Sequence, residues 1–181
     1  MYSAPDRHYH GLAHIEAMLD LAGEYHTALS DPEAVEAAIW FHDAVYDSRR
    51  NDNETKSAEF AARRLSGRTD RERVDLVGKM IEATATHQVP EFATNTARMD
   101  AAFFLDMDLS VLGALPEQYD SYEEAIRREY AWVGEAAWRA GRTAVLKNFL
   151  SRSRIYHTDN FRLRYEAQAR ENMARSLARL A

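Results

Sequence analysis

Eight residues carry the side chains from which a reactive centre could be built: His10, His14, His42, Asp43, Asp47, His87, Asp106 and Asp108. His10 and His14 stand four apart, a spacing that puts both on one helical face if the helix already includes His10. His42 and Asp43 are adjacent inside the apolar run Trp40-Phe41-His42-Asp43-Ala44-Val45-Tyr46-Asp47. Neighbours on a helix point about 100° apart, so both can converge on one ion beside it. An acid near a helix C-terminus opposes the helix dipole, so Asp43 calls for a compensating positive charge. Burying such groups without partners is costly. Two imidazoles and two carboxylates, His14, His42, Asp43 and one of the later Asp residues, form a donor set for Mn, Mg, Fe, Co, Ni or Zn. The alternative for each residue alone is a satisfied core histidine or a helix-terminal acid.

The choice between the two later acids rests on helical faces. Asp106 and Asp108 point about 200° apart on an ideal helix. Asp108 shares its face with Ala101, Phe104, Leu105, Val111 and Leu112, whereas Asp106 lies with Met99, Phe103, Leu109 and Ser110. The more buried acid needs a cation more, which favours Asp108 as the ligand.

These residues must be positioned by helices. Apolar residues at Leu12, Ile15, Leu19 and Ala22 predict a first helix over about 11–29. Asp31-Pro32-Glu33 supplies an N-cap, a first-turn Pro and an early acid for a second, expected to run to about Val45. A polar loop over 47–52 precedes a third helix that stops near Gly67. A fourth, capped by Thr69 or Asp70, ends around His87 before Val89-Pro90. The fifth runs from Met99 to Leu112, and further helices cover about 117–133, the region of Ala144 to Leu150, and 161–180. No segment alternates as a strand does, so the expected fold class is all-α.

Composition narrows the setting. The chain has 181 residues, no Cys and a net charge of -6. Thiolate sites and disulfides are excluded, and any metal must be held by His and carboxylates. The acidic balance argues against a broad nucleic-acid surface. No run is apolar enough to span a bilayer and the N-terminus lacks a signal-peptide core, so a soluble, cytoplasmic single domain is expected. The C-terminal Arg162, Arg164, Arg170, Arg175 and Arg179 alternate with Glu166 and Glu171, which reads as a solvated or homo-oligomer-facing helix. Tyr119, Tyr122, Tyr130 and Trp132 read as core or interface packing.

His, then His-Asp, then Asp on successive helices resembles the HD superfamily of metal-dependent phosphohydrolases. More closely, Arg7-x-Tyr9-His10-x-x-x-His14-Ile15, Trp40-Phe41-His42-Asp43-x-Val45-Tyr46-Asp47, Asp52-Asn53-Glu54-x-x-Ser57-Ala58 and Phe104-Leu105-Asp106-x-Asp108-Leu109-Ser110-x-Leu112-Gly113 resemble a bacterial branch of predicted HD-type phosphohydrolases. The likeness extends through Arg127-x-Glu129-Tyr130 and Ile155-Tyr156-x-Thr158. It implies an HD-like helical bundle with core residues about 7–113 and a C-terminal helical extension over about 116–181. It further implies His14, His42, Asp43 and Asp108 as ligands of a divalent ion, and hydrolysis of a phosphate ester, with nucleotides as the substrate class. The ion would acidify a water and polarise a phosphoryl oxygen. Asp47 is then placed to orient or deprotonate that water, Arg7 to pair with phosphate, and His10 to line the pocket.

Some relatives hold a second metal with two further His residues. Here Glu54 stands near the first such place and Thr84-x-x-His87 resembles the second, so one metal with His87 facing the phosphate is the expectation. Two other classes stay open: a metal-containing nucleotide-binding or regulatory module without turnover, and a two-iron oxygenase. The Glu54 departure counts against the oxygenase.

Overall fold

The computed structural model describes residues 2–181. The described residues form eight α-helices and no strand: α1 (Leu12–Glu24), α2 (Pro32–Phe41), α3 (Asn53–Leu65), α4 (Arg71–Ala83), α5 (Asn95–Asp108), α6 (Pro116–Glu129), α7 (Glu135–Ser151) and α8 (Asp159–Leu180). Two 3-10 turns, His26–Ala28 and Leu109–Gly113, complete the set. The fold is all-α, as expected. No helix among the described residues is long and apolar enough to cross a membrane. The chain divides into two compact units at Asp108/Leu109.

In the first unit α3 packs on α4, α2 on α4, and α1 on both α2 and α5. Ile15, Met18, Val35, Ile39, Val77, Met80, Ile81, Phe104 and Leu105 are buried between them. The start of α2 follows the sequence signal: Asp31 accepts the Ala34 N–H at 3.1 Å, with Pro32 in the first turn. Asp70 does the same for α4 through the Arg73 N–H at 2.8 Å. A contact the sequence did not announce fixes the α1–α2 connection. Asp100 of α5, fully buried, accepts the Ser30 and Asp31 N–H groups at 2.8 and 2.9 Å.

The helix ends differ from expectation, each for a local reason. The first α-helix stops at Glu24 rather than Leu29, because the chain tightens into a 3-10 turn in which the Tyr25 and His26 carbonyls accept the Ala28 and Leu29 N–H groups. The second stops at Phe41 rather than Val45. In a continuing helix the Ile39 carbonyl would accept the Asp43 N–H; here it takes His42 Nδ1–H at 2.9 Å. Beyond it, side chains of α3 capture the backbone. Ser57 Oγ accepts the Val45 N–H at 3.0 Å and donates to the Val45 carbonyl at 3.1 Å. Asn53 pairs in the same way with both backbone groups of Asp47, at 3.1 and 2.9 Å.

The α4 helix ends at Ala83, four residues before His87. Thr84 Oγ1 takes the Ile81 carbonyl at 2.7 Å, and the His87 N–H closes back on the Ala83 carbonyl at 2.8 Å. His87 has φ of 50°, a left-handed closure usually given to Gly or Asn. The fifth helix begins at Asn95 rather than Met99, since Thr94 Oγ1 accepts the Ala97 N–H at 3.2 Å.

The second unit is held by close packing and buried polar links. Asn172, fully buried on α8, donates to the Leu112 and Ala114 carbonyls, both at 2.9 Å. Gly113 lies so close to Tyr165 that an added Cβ would meet the Tyr165 Cβ and carbonyl oxygen at 2.6 Å. Buried Arg142 of α7 pairs with Glu123 of α6, which also accepts from the fully buried Tyr119 at 2.8 Å. The α8 arginines are used internally: Arg170 pairs with Glu166, and Arg175 and Arg179 share Asp120.

Removing the Asp100 carboxylate deprives the Ser30 and Asp31 N–H groups of a shared, charged acceptor, a loss worth about 3 kcal/mol. Asp100→Ala is therefore expected to lower the urea midpoint by that free energy while leaving the slope unchanged; an unaltered midpoint would show the contact to be dispensable.

Candidate metal centre

The site is assembled from helix ends. His14 lies on the inward face of α1 beside Ile15 and Met18, and is 8% exposed. His42 directly follows α2, Asp43 comes next, and Asp108 is the last residue of α5. His87 closes the turn after α4.

Their reactive atoms converge. His14 Nε2 is 3.2 Å from His42 Nε2 and 3.1 Å from Asp108 Oδ1. His42 Nε2 is 3.1 Å from Asp43 Oδ2 and 3.7 Å from Asp108 Oδ1. The second oxygen of Asp108 meets His87 Nε2 at 3.0 Å. Because a carbonyl can only accept, the Ile39 contact places a proton on His42 Nδ1 and aims the other ring nitrogen into the cluster.

The spacing suits a cation. Ligand atoms about 2.0–2.2 Å from an ion lie roughly 3.0–3.5 Å from one another along the edges of its coordination shell. One atom of the cluster stands out: Asp43 Oδ2 is buried without a hydrogen bond among the described residues, and the neutral His42 ring, protonated on Nδ1, has no Nε2–H to offer it across 3.1 Å. A buried acceptor left so is costly. The buried His14–His42–Asp43 cluster can hold a metal ion, and its nitrogen and oxygen donors suit several divalent ions without choosing among them.

Without a cation, protons carry the compensating charge. Burial alone would push the His42 pKa down, but the Asp43 and Asp108 carboxylates outweigh it and bring the value to about 9. Burial would raise Asp43; the imidazoles of His42, His10 and His14 instead hold it well below the usual carboxylate range. Asp108 is likewise held down, against burial, by hydrogen bonds from His14 and His87 and by the charge of His42.

The other expected residues separate into those beside the cluster and those elsewhere. His10 precedes α1 rather than lying on it, and its ring stacks on Tyr46 at 4.2 Å, 6.4 Å from the His14 ring. Tyr9 lies against His14 at 4.8 Å. Arg7 donates to the carbonyls of His10, Asp43 and Ala44 at 3.0, 2.6 and 3.4 Å. Asp47 is exposed, and its Oδ1 accepts the Arg49 N–H at 2.9 Å in a local turn. Glu54 is half-buried in the first turn of α3, where an acid is favourable in any case. Asp106, fully buried, is more enclosed than Asp108, whose side chain is 13% exposed. The burial premise used to rank these two acids was therefore inverted, although it is Asp108 that reaches His14.

Asn53 and Ser57 are the supporting residues that chemistry-directed reading missed. Their spacing of four, on one face of a helix directly after the central motif, was the available signal.

No family model, curated protein or solved structure matches the chain. Functional assignment accordingly rests on the chemistry of the cluster.

A raised His42 pKa stabilises the metal-free fold fully below the unfolded value near 6.5, and that contribution is lost as pH rises through about 9. Thermal unfolding of the metal-free protein should thus show a falling midpoint across this window. His42→Asn, which keeps a donor for the Ile39 carbonyl, is expected to flatten the fall; an unchanged slope would mean that His42 does not titrate there.

Proposed function

We propose that the chain is an HD-type metal-dependent phosphohydrolase that cleaves a phosphate ester, with nucleotides as the substrate class. The observation that carries this reading is the convergence of two imidazole nitrogens and two carboxylates, with Asp43 Oδ2 buried and accepting no hydrogen bond among the described residues. The order of those residues along the chain, with its resemblance to the HD superfamily, supplies the reaction class.

In this reading His14, His42, Asp43 and Asp108 hold one divalent ion. When bound it supplies Lewis acidity, which acidifies water and polarises a phosphoryl oxygen. The protein supplies orientation and proton handling. The Ile39 carbonyl fixes the His42 tautomer, and His87 Nε2 steadies Asp108 Oδ2 so that Oδ1 faces His14. His10 and His87 flank the cluster and are the groups assigned to proton transfer. Asp47 is less suited to that task, because it is exposed and held in a local turn by the Arg49 N–H.

The reading is tested by phosphate release from a panel of nucleotides and simple phosphomonoesters with added Mn²⁺. Turnover should vanish in Asp43→Ala. Loss of a general acid or base costs about 10²-fold or more, so His10→Gln and His87→Gln are each expected to fall by that factor, while Asp47→Asn stays within about 10-fold of the parent. A metal-loaded protein that releases no phosphate from any substrate would instead point to a binding module without turnover.

A further inference from the structure

The end of α2 is only partly capped by its own neighbourhood. No Gly or Asn follows Phe41, yet its last carbonyls are accounted for one by one. Ala38 accepts the His42 N–H at 2.9 Å, Ile39 accepts His42 Nδ1–H at 2.9 Å, and Phe41 accepts the Ala44 N–H at 3.0 Å. The remaining acceptors are met from the far end of the chain. Tyr2 Oη donates to the Trp40 carbonyl at 2.7 Å. The Arg7 guanidinium donates to the Asp43 and Ala44 carbonyls at 2.6 and 3.4 Å.

We propose that Arg7 is a positioning residue for the His42–Asp43 pair, acting from the N-terminal segment on the Asp43 and Ala44 carbonyls just past the end of α2. The assignment rests on the metal-centre reading for its functional meaning, but the contact itself does not. Three features support it. First, the negative end of the α2 dipole and the Asp43 carboxylate both call for positive charge, and Arg7 places it there. Second, the guanidinium spans two successive carbonyls, which sets the backbone at 43 and 44 and hence the direction in which the Asp43 side chain leaves it. Third, Arg7 is itself fixed. It lies 5.3 Å from the Tyr2 ring centroid and 5.4 Å from that of Tyr46, and a further N–H holds the His10 carbonyl at 3.0 Å. The His10 ring in turn stacks on Tyr46. One side chain thus joins the lead-in, the α2 end and the Tyr46 segment. A Lys carries the same charge but lacks the planar fork that reaches several acceptors at once.

The decisive variant is Arg7→Lys, with Arg7→Ala beside it, in the full chain. Two measurements are made on each: Co²⁺ affinity with the visible absorption of the bound ion, and amide exchange across residues 38–46 of the metal-free protein. Loss of an outer-shell partner typically costs 10–100-fold in metal affinity. Arg7→Lys is expected to keep its helix content, weaken Co²⁺ binding by about 10-fold, and alter the absorption bands. Exchange at Asp43, Ala44 and Val45 should quicken while α1 is unaffected. Parental affinity, spectrum and exchange in Arg7→Lys and Arg7→Ala would overturn the proposal. Failure of the parent itself to bind Co²⁺, Mn²⁺ or Zn²⁺ would instead remove the metal reading, and the exchange comparison alone would then decide the role of Arg7.

Discussion

Two carboxylates, Asp43 and Asp108, stand at the C-terminal ends of α2 and α5, where exposed helix carbonyls already concentrate negative charge. Both are largely withdrawn from water, with side chains 16% and 13% exposed. Such an arrangement persists only with positive charge close by, and the surrounding structure supplies it. The imidazoles of His14, His42 and His87 crowd the carboxylate oxygens, and Arg7 meets the carbonyls behind Asp43. A divalent cation and a proton on His42 are alternative answers to the same electrostatic demand.

Much of this was legible in the sequence. The starts of α2 and α4 were, because Asp31-Pro32 and Asp70 carry their capping chemistry within one turn. The ligand candidates were too, since a His-Asp pair in an apolar run has few inexpensive explanations. The ends of α1, α2 and α4 were not. The stop after Phe41 depends on Ser57 and Asn53 from α3, and on Tyr2 and Arg7 from the lead-in. No window around residue 41 contains them. Periodicity continued through 42–45 because the apolar pattern did; the backbone groups had found other partners.

The Asp106 and Asp108 comparison failed in a more specific way. Face analysis assumed a helix continuing past both residues, so that apolar neighbours at 111 and 112 would cover Asp108. The α-helix instead ends at Asp108, and the following residues tighten into a 3-10 turn. Asp106 is enclosed on the body of α5, whereas Asp108 looks out from its end towards His14 and His87. In the second unit, the aromatic reading was sound at Tyr119, which is fully buried, but Trp132 is half exposed. Arginines of α8 that suggested an outward-facing surface are in part engaged with Glu166 and Asp120.

The pairing of α3 with the segment after Asp43 also acts as a ruler. Asn53 and Ser57 are separated by four helical residues, a rise of about 6 Å. The backbone they hold, at Asp47 and Val45, is two residues long, about 6.6 Å when extended. The two repeats are nearly commensurate, so a helix face substitutes for a neighbouring strand. Slippage by a single residue would present Lys56 or Ala58, on another face of the helix, to the donors and acceptors now met by Ser57. The segment leaving the His42–Asp43 pair therefore has discrete registers rather than a continuum of positions, and only one of them matches the helix.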